Sequence, residues 1–91
     1  MAKRADNWEA MLTPSGAPNA DYRARFGILD GGRFPVAMGD CERAESALRL
    51  RGNGTTKQER RKIIRAVMER CPELADDCRE AMQEDSAKGL I

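Results

Sequence analysis

Apolar residues recur along this chain with two different periods, and the change of period predicts where strands give way to helices. From residue 41 onward the period is helical. Cys41, Ala44, Ala47 and Leu48 fall on one face of a helix that Asp40 can cap, that Glu42 favours in its first turn and that Gly52 ends, near Arg51. Ile63, Ile64, Val67, Met68 and Cys71 form the strongest stripe in the chain. They predict a second helix to about Arg70, opened by a capping box of Thr56 with Glu59 three residues later. Pro72 breaks that helix and suits the first turn of a third, whose inward stripe is Leu74, Ala75, Cys78, Ala81 and Met82.

Upstream the period is two. Tyr22 to Leu29 and Arg33 to Val36 flank Asp30-Gly31-Gly32, where glycine supplies the positive φ of a tight turn, so a short β-hairpin is expected. Phe26 and Ile28 share a face of the first strand, as Phe34 and Val36 do on the second. Pro35 donates no ladder bond, which makes its strand an edge. Two strands are not stable alone in water and must lean on the helices.

Residues 1–21 read as an arm. Asp6 or Asn7 can cap a short helix that places Trp8, Met11 and Leu12 on one face, and the stretch from Thr13 to Asp21, with Pro14, Gly16 and Pro18, reads as a flexible linker. Trp8 has two readings, a peg packing back onto the body or, with Met11 and Leu12, an anchor for a partner. Residues 86–91 continue no pattern and are expected to fray. The expected fold is α+β and mainly α: an arm (1–21), a small domain (22–85) with the hairpin packed on a three-helix C-terminal core, and a flexible tail (86–91). No internal repeat is visible.

Ninety-one residues make one domain with a thin core, since only 4% of residues are aromatic and much of the 41% hydrophobic content is alanine. A thin core favours an interaction protein over an enzyme. The net charge of +1 hides a segregation: residues 43–70 hold nine Lys or Arg against three Glu, and residues 71–86 hold six acids against one Arg. Such a dipole can dock a polyanion or associate head to tail, or the two blocks can neutralise each other on adjacent helices. Arg60 projects near the apolar stripe, where it can snorkel or pair with an acid of the third helix.

Candidate chemistry is sparse. The absence of histidine removes the commonest general base and every His-containing metal site, so no catalytic residue, metal or cofactor is expected. Cys41, Cys71 and Cys78 lack zinc-type spacing and fall on apolar faces. Polar residues after Met1 in place of a secretory apolar stretch point to a reducing compartment, where the thiols stay unpaired and serve as core. No apolar run approaches the ~18 residues of a membrane span. Gly52-Asn53-Gly54 leads into a helix start that could hold a phosphate but lacks the lysine placement of a P-loop.

The helices at 41–51 and 56–70, joined by a glycine-containing turn, outline either a helix-turn-helix or a plain αα-hairpin. Lys57, Gln58, Arg61, Lys62 and Arg65 lie on one flank of the second helix, as a nucleic-acid contact would require.

Tyr22 to Arg70 resembles a small domain of bacteriophage and prophage proteins that also occurs appended to head-maturation proteases. The resembling residues are Phe26-Gly27-Ile28, Arg33-Phe34-Pro35-Val36, Asp40 with Arg43-Ala44 and Ala47-Leu48, and Arg60-Arg61-Lys62-Ile63-Ile64-Arg65-Ala66. The chain departs from that pattern at Cys41, where a small residue more often precedes a histidine. The resemblance implies a phage setting and no particular chemistry. The expected function is a non-enzymatic protein-interaction module, in the virion head or bound to a host protein in the cytoplasm, with a DNA-binding protein as the alternative.

Overall fold

The computed structural model describes residues 8–91. The proposed cap at Asp6 or Asn7 lies outside them. Trp8–Met11 form a 3-10 turn, followed by α1 (Ala20–Phe26), β1 (Gly27–Leu29), β2 (Arg33–Pro35), α2 (Cys41–Arg49), α3 (Lys57–Arg70) and α4 (Ala75–Ala87). The fold is mainly helical with one antiparallel hairpin, paired Gly27 to Pro35 and Leu29 to Arg33.

Capping chemistry places the helices. Asp40 accepts from the Arg43 amide at the start of α2, and Thr56 and Glu59 form the expected reciprocal box at the start of α3. Ile63, Ile64 and Val67 on α3 are buried against Ala44, Ala47 and Leu48 of α2 and Cys78 and Ala81 of α4. Ile28, Leu29 and Val36 of the hairpin region cover the same core.

Four expectations are corrected. Residues Tyr22 to Phe26 are helical, because the Asn19 side chain accepts from the Tyr22 amide at 2.9 Å and caps α1; Tyr22 and Phe26, four apart, are both buried. The first strand therefore shrinks to three residues. The linker is folded: Thr13 N–H donates to Ala17 at 2.6 Å, Asn19 N–H to Met11 at 2.9 Å, and Leu12 bridges Pro18. The tail does not fray at Ser86. Its helix runs to Ala87 and ends in a Schellman motif, with Gly89 at φ 73°, Leu90 N–H to Asp85 O at 2.7 Å and Gly89 N–H to Ser86 O at 3.1 Å. Finally, Cys41 and Cys71 are not free thiols but a disulfide with Cα atoms 5.3 Å apart, because the start of α2 meets the end of α3. Cys78 stays free and buried in the core.

A second, smaller cluster sits beside the main core. Tyr22, Phe26 and Ala37 form it, and Trp8, Met11 and Leu12 pack against it.

Candidate interaction surfaces

Three polar clusters stand out, two of them centred on a buried carboxylate, Asp40 or Asp85, and the third on exposed Glu73. Tyr22 is fully buried; its hydroxyl donates to Asp40 and accepts from the Ala37 amide at 2.8 Å. Burial, and then the bond to the Asp40 carboxylate, push its pKa above the ordinary tyrosine value. Asp85, 2% exposed, is held by Arg51 and Arg60; the Arg51 hydrogen bonds hold its carboxyl below the usual carboxylate range. This confirms the pairing of Arg60 with an acid of the last helix. Glu73 Oε1 lies 3.3 Å from Cys41 Sγ and 4.0 Å from Cys71 Sγ, a convergence of three metal-type donors. Joined sulfurs carry no thiolate, so the trio is not a metal site in this state.

A groove of about 560 Å³ with apolar walls lies between the hairpin and α2. Phe34 and Pro35 form one wall, Ala47 and Leu50 the other, and Leu50 is 46% exposed. Arg23, Arg33 and Arg43 edge it, and no carboxylate lines it. Each arginine is oriented from behind. Arg23 donates to Pro18 O at 2.9 Å, Arg33 to Glu59 at 3.0 Å, and Arg43 to Asp40 at 3.0 Å and to Gly16 O. Arg23 alone of the three meets only a neutral carbonyl there. Phe34 has φ 54°, a left-handed conformation that is uncommon for an aromatic residue and marks backbone strain at this edge.

Trp8, Met11 and Leu12, the residues expected to bind a partner, are half-buried and pack against the second cluster. The Trp8 indole N–H is buried there with no acceptor among the described residues.

The expected nucleic-acid flank is exposed along α3 at Lys57, Gln58, Arg61, Lys62 and Arg65. Seven residues (50–56) separate α2 from α3, longer than the three- to four-residue turn of a helix-turn-helix. Sequence reading missed the groove, although Leu50, an apolar residue off the inward stripe of its helix, was a signal for it.

No known protein family, no curated protein and no solved structure matches the chain.

Proposed function

We propose that this protein is a non-enzymatic protein-interaction module that docks a partner in the hairpin groove. The observation that carries this reading is the lining itself: half-buried Phe34 and Pro35 on one wall facing exposed Leu50 on the other, with three arginines at the edge and no acid in the lining. Such a surface suits an acidic segment bearing one large apolar side chain, which would bury against Leu50 while its carboxylates meet the arginines. Strain at Phe34 supports the same place, since strained backbone concentrates at binding sites. Against an enzyme stand the lack of histidine and the location of the perturbed Tyr22 and Asp85 inside structural networks. The resemblance over Tyr22 to Arg70 supports a phage or mobile-element setting, with the partner a virion-head component or a host protein.

The test is a photoreactive amino acid at position 50, with the same label at exposed Gln83 as control, in protein expressed in its native host. The expected result is one adduct from position 50 whose cross-linked peptide is acidic, lost when Arg23→Glu is added. Equal labelling from positions 50 and 83, or none from either, would refute the groove as a docking site.

A further inference from the structure

Charge left over after folding is concentrated in two places. On α3, Lys57, Arg61, Lys62 and Arg65 are exposed and make no ion pair with any described residue. They span nine residues, or about 12 Å of helix rise. On the other side, Glu45 of α2 and Asp77, Glu80 and Glu84 of α4 surround a cleft of about 380 Å³. Its two cations do not balance them, because Arg51 is shared between buried Asp85 and Glu84, the latter at 3.3 Å, which leaves Arg49 against Glu45, Asp77 and Glu80. Asp77, Glu80 and Glu84 recur three and four apart, a stripe of about 10 Å along one helix face.

These two surpluses cannot cancel inside one molecule. Ile64 and Val67 of α3 share the buried core with Cys78 and Ala81 of α4, and among the described residues no ion pair joins the two charged flanks. Among the described residues, Arg60 to Asp85 at 3.2 Å is the one ion pair joining the two helices. A net charge of +1 gives little long-range pull toward a polyanion, whereas opposed poles attract another copy of the same chain.

We propose that the protein associates head to tail with itself, the basic flank of α3 in one copy seating in the acidic α2–α4 cleft of the next. The basic stripe is a convex helix face and the acidic surface a concave cleft of similar length, so the pair fits in shape as well as sign. The two surfaces lie on different faces, so the contact is heterologous: each copy retains one free surface, and growth continues unless a ring closes. The hairpin groove takes no part, so this interface and the proposed docking site stand or fall separately.

Sedimentation of the full chain over a wide concentration range, at low and at high salt, tests it. At low salt the apparent mass is expected to climb past twice the monomer with concentration, and at high salt to return to the monomer, because exposed pairs are screened. Two variants sharpen the result: Arg61→Glu with Arg65→Glu removes the basic surface, and Asp77→Lys with Glu80→Lys removes the acidic one. Each alone is expected to be monomeric, and an equimolar mixture to stop at a dimer, since each supplies the one surface the other lacks. Circular dichroism melting checks that both fold, and the neutral changes Arg61→Gln and Asp77→Asn, which should weaken association several-fold, serve if a reversal does not. A wild-type chain that stays monomeric throughout, or variants that assemble like wild type, would overturn the proposal. So would a monomeric chain that binds a duplex oligonucleotide through Arg61 and Arg65, which would make the flank a nucleic-acid surface.

Discussion

Arg51 grips Asp85 with one edge of its guanidinium, Nε to Oδ2 at 2.7 Å and Nη2 to Oδ1 at 2.9 Å, across 34 residues of sequence. The pair locks the end of α2 to the end of α4, and Arg60 adds a third bond at 3.2 Å. Because the Arg51 and Arg60 bonds depress the Asp85 pKa, folding gains stability from this carboxylate above the ordinary aspartate range, about pH 3.9. That gain is lost as pH falls through the lower folded-state value. Asp85→Asn is expected to lower stability by about 3–5 kcal/mol at neutral pH, leaving Arg60 without its anion and Arg51 with only the exposed Glu84. It should also flatten the acid limb of the stability curve. Urea titrations of both proteins from neutral to acid pH check this, and parallel acid limbs would contradict it.

Tyr22 is the only tyrosine, so its ionisation can be followed by ultraviolet absorbance without interference. Its pKa is raised in the fold, so its contribution is present below about pH 10 and is lost as pH rises through the folded-state value. The phenolate signal is expected only when the protein unfolds in alkali. Tyr22→Phe should cost about 1–3 kcal/mol by orphaning the Ala37 amide, measured by denaturant unfolding.

Gly27 is required by space. A Cβ there would stand 2.7 Å from the Gly32 Cα and 2.9 Å from the Arg23 carbonyl oxygen, and neither backbone group can yield without moving the hairpin off α1. Gly27→Ala is expected to lower stability by about 1–3 kcal/mol, or several degrees in Tm. An unchanged melting temperature would show that the hairpin is looser than described.

The Cys41–Cys71 bridge closes a loop with a sequence separation of 30, which in the chain-entropy account is worth about 3–4 kcal/mol. Dithiothreitol, or Cys41→Ser with Cys71→Ser, should lower the unfolding free energy by that amount, and Cys78→Ser should leave the response to reductant intact. No response to dithiothreitol would mean that the bridge does not form in solution.

The three C-terminal helices were legible because their signals are local: a capping side chain, a stripe every three or four residues, a proline. The hairpin turn was legible for the same reason, in Gly31 and Gly32. α1 was hidden because its cap, Asn19, follows Pro18 in a run of turn-forming residues, and because Phe26 and Ile28 mimic strand alternation. The disulfide and the burial of Asp85 depend on which helix ends meet, and no short window of sequence contains that. The groove is likewise a product of packing. Phe34 and Pro35 read as an edge strand, and only the approach of Leu50 from α2 turns them into a concave surface.

The division into two cores has a dynamic consequence. Between them Arg70 acts as a rivet, its Nη1 donating to Phe26 O at 2.8 Å and to Val36 O at 3.0 Å. The smaller core rests on three buried side chains and an N-terminal strap, whereas the larger is enclosed by three helices. Less apolar area holds the smaller one shut, so the parts of residues 8–26 away from the buried Tyr22–Asp40 bond are expected to open more often than α2, α3 and α4. Native-state hydrogen exchange should then show two tiers, with the amides of α1 released well before those around Ile64.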